Sequence, residues 1–525
     1  MVAVFCCMAL GAGASAADEP LWFDGGRPHQ QAWLAVKTLQ SAAQDGLKAE
    51  NYHAELLGRT LAATNEGVVL PAETISRLDD ALTEAMQRYL SDLHSGQIDP
   101  RQIEENFVVR PIDAFNPAAY LRAAVAEGRL PDAAARAAPA LPLYDRLRRA
   151  LAHYGALAVD PATEAAWLAP LPAIAGGKLE PRQPYAGLDL LTQRLSVVGD
   201  LADWNGKTPP RYEGALVDAV KSFQRRHGLT PDGVIGRATL EQLNVPLSVR
   251  VRQIELTMER LRWTPLLDAP RTVVVNVPEL RLRAYEVRDG GLDIKVDMKV
   301  IVGKALNTRT PLFDEEMRFI EFSPYWNVPP SIARGETVPR LRREPGYFHQ
   351  QGFEFVASDG RVSRRLSRES LDAVQRGQMR IRQRPGPMNA LGDIKFVFPN
   401  KDNIYLHHTP TPRLFEKDRR DFSHGCIRVE EPVALAMFVL QNDPAWDEAR
   451  IREVMAKGVS STLRLREPVR VVIAYHTVLA DEQGVVHFFP DIYGQDRRLD
   501  EALEQINRKD NRQGQATLLL KKQAI

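Results

Sequence analysis

The sequence predicts a multidomain α+β chain: a helical scaffold, a small three-helix unit, and a β-rich domain with an insertion. Three observations lead there. Apolar residues recur at three- and four-residue spacing through the first third. A compact amphipathic stretch then follows a Gly/Pro-rich linker. From Arg271 the apolar period changes to two. A length of 525 residues suits three or four domains at about 100–200 residues each.

The helical region spans 22–180. At 76–93, Leu78, Leu82, Ala85, Tyr89 and Leu93 share one helical face, and Met86 and Leu90 widen it. Pro139, Pro142, Pro161 and Pro170 break the pattern. No catalytic grouping appears here, so the region reads as scaffold. His53 and His94 read as helix-end or surface residues.

The second unit spans 185–247. Leu216, Val217, Val220 and Phe223 line one helical face, and Gly228 follows at a helix-stop position. Pro231-Asp232-Gly233 is a turn, and Gly236 opens a short helix carrying Leu240 and Leu243.

The third unit spans 268–525. Strand patterns occupy 272–277, 280–287, 292–302, 317–322, 394–398, 404–407 and 468–475. A helix at 432–440 has Pro432 at its first position, with Glu430 and Glu431 near its positive end. Between about 325 and 385 the chain is rich in proline and arginine, and reads as an inserted loop-helical subdomain. A connection of that length is typically functional, often a lid.

Composition narrows the function. Lys+Arg number 68 and Asp+Glu 67, giving a net charge of +1. That balance argues against a polybasic nucleic-acid binder. With 44% hydrophobic and 26% charged residues the composition is globular, not disordered. The uncharged segment 1–17 ends in Ala14-Ser15-Ala16 and reads as a signal peptide without its basic start. No later run reaches membrane-spanning length, so no stable membrane insertion is expected after leader removal. Of three cysteines, Cys6 and Cys7 fall in the leader and Cys426 stays in the exported chain. A lone thiol in an oxidising compartment is a candidate reactive group.

The densest chemistry lies in Tyr405-Leu406-His407-His408 and Ser423-His424-Gly425-Cys426-Ile427-Arg428. A thiol attacks as thiolate, so a neighbouring imidazole must take its proton. Strand alternation puts His407 on the face with Tyr405, opposite Leu406, which favours His407 over His408 as base. Cys426 and Arg428 share a face if that segment is extended. Gly425 permits positive φ and close backbone approach, and consecutive N–H groups at such a turn suit an oxyanion. Three plainer readings stay open: Cys426 as an inert buried thiol, a zinc site of His407, His424 and Cys426, and Arg428 as a surface ion-pair residue.

Two resemblances rest on these residues. The stretch around Phe223-Gln224, His227-Gly228-Leu229, Pro231-Asp232-Gly233 and Leu243-Asn244 resembles the three-helix peptidoglycan-binding module of bacterial wall enzymes. His407, followed after fifteen residues by Ser423-His424-Gly425-Cys426 and then Arg428, resembles the signature of the L,D-transpeptidase (YkuD-type) catalytic domain. Pro324-Tyr325-Trp326-Asn327-Val328-Pro329-Pro330, Asp491-Ile492-Tyr493-Gly494 and Tyr89-Leu90-x-Asp92-Leu93-His94-Ser95-Gly96 resemble its large periplasmic branch.

The resemblance implies a β-sandwich catalytic domain with a capping subdomain, and a cell-wall enzyme in the periplasm of a Gram-negative cell. Cys426 would attack the donor tetrapeptide stem, and a diaminopimelate amine would accept the acyl group, giving a 3→3 cross-link. His407 would be the base, with His424 assisting. Gly425 and Cys426 N–H groups would form the oxyanion hole. Arg428, Tyr405, Ser423, Trp326 and Tyr325 would bind substrate. No metal or organic cofactor is implied. The same thiol could serve an L,D-carboxypeptidase, an endopeptidase or a protein-attaching enzyme; a non-catalytic wall-binding scaffold is a further reading. Many relatives carry an acidic or small residue after the first histidine, where His408 stands here, so the group orienting His407 is left to a backbone carbonyl or Ser423.

Overall fold

The computed structural model describes residues 20–65, 71–104, 107, 115–202, 204, 206–264, 266–305 and 308–522. The expected leader, 1–17, lies outside the described residues.

A two-residue hairpin, β1 (Phe23–Asp24) with β2 (Arg27–Pro28), precedes helices α1 (Gln30–Gln40), α2 (Ala54–Asn65), α3 (Ala72–Ser95), α4 (Pro117–Ala126) and α5 (Leu130–Ala137). They close around Trp22, Leu39, Leu61, Leu82, Leu90 and Leu121. The apolar face read at 76–93 is the buried face of α3. Helix α6 (Pro142–Val159) leaves this core and packs on α11 (Leu247–Arg262) through Tyr144, Leu147, Leu151, Ile254 and Met258. After α7 (Pro161–Trp167) come α8 (Leu188–Val197), α9 (Ala215–Arg226) and α10 (Arg237–Leu243), with their own core of Leu191, Leu195, Val220, Phe223 and Ile235. Gly228 ends α9 with φ +66°, which an L side chain adopts only at a cost.

Strands β3 (Arg271–Asn276), β4 (Arg281–Arg288), β5 (Gly291–Gly303) and β6 (Phe313–Phe322) open the third unit. Next comes the cap: β7 (Trp326–Asn327), α12 (Pro330–Ile332), a π-helical turn at Ala333–Thr337, α13 (Val338–Arg343), α14 (Gly346–Gln350), β8 (Phe353–Ala357), β9 (Val362–Ser363), α15 (Arg368–Gln375) and β10 (Met379–Gln383). The chain returns through β11 (Ile394–Val397), β12 (Leu406–His407), β13 (Asp421–Ser423), β14 (Ile427–Val429), α16 (Pro432–Leu440), α17 (Glu448–Ala456) and β15 (Ser461–Ala474). It ends with the hairpin β16 (Val478–Ala480) and β17 (Val486–Phe488), then α18 (Gln495–Lys522).

Eight strands close on themselves in the order β5-β14-β12-β11-β6-β15-β3-β4, with β4 pairing back to β5. The halves of this sheet therefore face each other across one core, the sandwich arrangement that the resemblance implies. Val275, Leu282, Val300, Met317, Phe396, Leu406, Ile427 and Val471 all point into it.

The cap corrects one expectation. It is not loop-helical: a four-stranded antiparallel sheet, order β7-β10-β8-β9, backs its helices. It has its own core of Val338, Leu341, Phe348, Phe355 and Ile381. Phe353 to Val356 are buried throughout, because Glu354 points inward and is neutralised by Arg364 and Arg382. That burial erases the alternation that would have marked β8 as a strand.

Candidate active site

The site is built on two adjacent parallel strands. Leu406 of β12 pairs with Ile427 of β14, and His407 with Arg428. Leu406 and Ile427 fill the core. By alternation Tyr405, His407, Cys426 and Arg428 therefore share the opposite face. The row extends across the sheet, since Lys395 pairs with His407 on one side and with Glu321 on the other.

The turn carrying the thiol is tightly held. Gly425 has φ +116°, and a Cβ there would lie 3.1 Å from Ile404 Cδ1. Thr310 Oγ1 donates to the Gly425 carbonyl at 2.7 Å, and Thr308 Oγ1 to that of Ser423 at 3.2 Å. Ser423, expected as a substrate contact, lies inside this turn at the end of β13. It is 3% exposed, its hydroxyl donates to the Cys426 carbonyl at 2.5 Å, and it accepts from the Gly425 N–H at 3.1 Å. That last bond bears on the expected oxyanion pair. The Gly425 N–H is already engaged, whereas the Cys426 N–H has no hydrogen bond among the described residues.

His407 is buried, and its Nδ1 lies 2.5 Å from the His408 carbonyl. A carbonyl only accepts, so Nδ1 carries the hydrogen and Nε2 keeps its lone pair. A backbone carbonyl therefore orients the ring. His408 lies 3.5 Å from Asp393, packed so closely on Gly392 that a Cβ there would come within 2.7 Å of it. Burial, with the Arg428 cation nearby, holds His407 down at about 3.

Burial pushes the Cys426 thiol above its ordinary value, opposed by hydrogen bonds from the Tyr405 side chain and backbone and by the Lys395 and Arg428 cations. The sulfur lies 3.8 Å from the Asn403 carbonyl, a long S–H···O contact. Each group thus favours its neutral form, and among the described residues the sulfur's hydrogen-bond partners are Asn403 and Tyr405, not the His407 ring.

The Arg428 guanidinium is buried enough to lower its pKa, and its Nε has no hydrogen-bond partner among the described residues. Tyr405 stacks edge-on to His407 at 5.7 Å, lies under Lys395 at 4.3 Å, and interacts through its hydroxyl with Trp326 of the cap. Tyr325 lies elsewhere in the cap, with Arg382 stacked 4.3 Å over its ring. His424 also turns to the cap, its Nε2 2.8 Å from Glu336 Oε1 on the π-helical turn. Glu336, Lys395 and Asn403 are the site residues that sequence reasoning missed. Lys395 alone carried a signal, standing between Ile394 and Phe396 in an alternating strand.

Residues 270–446, which hold all of these groups, match the L,D-transpeptidase catalytic domain family (YkuD). This segment is similar to L,D-transpeptidase catalytic domains. Residues 14–151 match a scaffold domain family, and 187–243 the family described as "Putative peptidoglycan binding domain". A Haemophilus influenzae protein named "Putative L,D-transpeptidase" is 32% identical over 299 residues, which cover 56% of this chain and 57% of that relative. The likeness thus spans a little over half of each L,D-transpeptidase-like chain.

Proposed function

We propose that the protein is a cysteine-dependent L,D-transpeptidase that forms 3→3 cross-links between peptidoglycan stems. The observation that carries this reading is the shared sheet face of His407, Cys426 and Arg428. Arg428 engages a stem carboxylate with the nitrogen that lacks a partner. The Cys426 proton passes to His407 Nε2 as sulfur attacks the carbonyl between the third and fourth donor residues. The Cys426 N–H bonds the oxyanion. Collapse breaks the peptide bond, and His407 returns the proton to the departing D-alanine amine. The diaminopimelate amine of an acceptor stem then attacks the thioester, and its proton leaves through His407 to the released thiolate.

The peptidoglycan-acting domains fit a cell-wall location, and the leader at 1–17 would deliver the chain to the periplasm. Replacing Cys426 with Ala or Ser should abolish 3→3 dimers formed on purified sacculi, read by mass spectrometry of muropeptides. Dimers at the wild-type level would remove Cys426 as the nucleophile. Trimmed tripeptides in place of dimers from the wild-type protein would make it a carboxypeptidase.

A further inference from the structure

The cap holds a cavity of about 320 Å³ that the reaction above does not use. Val328, Ala333, Val356 and Val374 give it a buried apolar floor. Arg334 and Arg380 stand exposed at its rim. Among the described residues neither guanidinium has a carboxylate partner, as holds for seven of the twelve cap arginines, while Arg340, Arg342, Arg361, Arg364 and Arg382 are ion-paired. Gly377, with φ +76°, keeps the rim open: a Cβ there would fall 2.7 Å from Arg334 Nη2. Gln375 donates to the Arg334 carbonyl at 3.1 Å and fixes that turn.

Charge is concentrated here. Residues 325–385 contain twelve arginines and no lysine, against six Asp or Glu, a formal excess of six positive charges in a chain of net +1. A lid so charged attracts anions, and guanidinium forks suit carboxylates. Arg334 lies on the π-helical turn at Ala333–Thr337. Two residues on, Glu336 of that turn contacts His424 of the catalytic motif. Such turns are rare, and frequent at functional sites.

We propose that this cavity is a second peptide subsite, which takes a carboxylate-bearing peptidoglycan stem, the acceptor, while the donor occupies Cys426. Arg334 and Arg380 clamp the stem carboxylates, and the apolar floor receives its aliphatic chain. This rests on the transpeptidase reading.

The test uses the full chain with Cys426 first acylated by a carbapenem, which fills the donor site. Binding of fluorescent L-alanyl-γ-D-glutamyl-diaminopimelate is followed by anisotropy. Arg334→Ala with Arg380→Ala should weaken binding at least about tenfold, and Arg334→Lys with Arg380→Lys by less, because charge stays while the fork is lost. The rate of carbapenem acylation should be the same in all three proteins. Equal peptide affinity in wild type and the alanine variant would overturn the subsite. So would no binding to the acylated wild type, or equal competition by succinate, which would leave a simple anion patch. Failure of the wild type to acylate would instead strike the Cys426 reading.

Discussion

Cys426 and His407 are displaced in opposite directions by one cause, burial, which penalises the charged form of each. With the imidazole held at about 3 and the thiol raised, both groups are neutral over a wide range. His407 normally titrates near 6.5, so its depression moves the acid limb of activity well below that value. The acylation rate constant with a carbapenem should therefore be flat between about pH 5 and pH 8. Stopped-flow quenching of protein fluorescence would measure it. A tenfold fall per unit below about pH 6.5 would indicate an ordinary imidazole; a tenfold rise per unit above it would indicate attack by a preformed thiolate. The common face of Cys426 and His407 was legible because the strand period alone places alternate residues on one side of a sheet. The roles of Ser423 and the Gly425 N–H were not, because both depend on which donor a tight turn satisfies internally, and spacing carries no record of that.

Elements are joined in this protein by buried charge as much as by apolar faces. Helix α3 ends where Gly96, at φ +86°, lets the chain pass so close to α11 that a Cβ would stand 2.6 Å from Glu259 Oε1. Glu259 accepts the Gln97 N–H at 2.7 Å and pairs with the fully buried Arg262 at 2.9 Å. Asp92 of α3, bonded by the Tyr52 hydroxyl at 2.8 Å, sits beside this network, and burial raises it to about 7. Its folded pKa exceeds its unfolded value of 3.8. Its contribution to stability is thus fully present at low pH and is lost as pH rises toward about 7, at up to about 1.4 kcal/mol per unit. Asp92→Asn keeps an acceptor for Tyr52 and does not titrate. Its stability relative to wild type should therefore rise between about pH 5 and pH 7 and level off above, as read from denaturant midpoints at constant slope. A gap independent of pH would show that Asp92 stays ionised in the folded chain. The helices themselves were legible: α16 has its expected bounds, and α9 carries its expected face and ends just before Gly228. Strands were legible where one face is buried. β15 runs from Ser461, seven residues before its expected start, because a register shift between Arg464 and Val469 puts polar residues where alternation should show.

At the scale of the whole molecule, Phe488 is the point where its parts meet. It belongs to β17, beyond the closed sheet. Its ring lies edge-on to Tyr154 of α6 at 5.2 Å, stacks on His227 at the end of α9 at 5.7 Å, and lies under Arg250 of α11 at 4.8 Å. One side chain thus touches the helical region, the α8–α10 unit and the helix that links them to the sheet. Next to it, Gly228 approaches Phe489 so closely that a Cβ would lie 3.2 Å away. His227 is buried and held well below its ordinary pKa, chiefly by that burial, so the joint is dry. Truncating Phe488 leaves a cavity shared by all three parts and should cost about 3–5 kcal/mol. The loss should fall on docking more than on any single core, because the ring's aromatic and cationic partners come from α6, the end of α9 and α11. Phe488→Ala should therefore speed amide exchange in α9 and α10 while β6, β11 and β15 keep their protection, as read by hydrogen-exchange mass spectrometry. Equal loss of protection in the module and the sheet would mean that the three parts unfold as one unit, and that Phe488 supports a common core and not a joint.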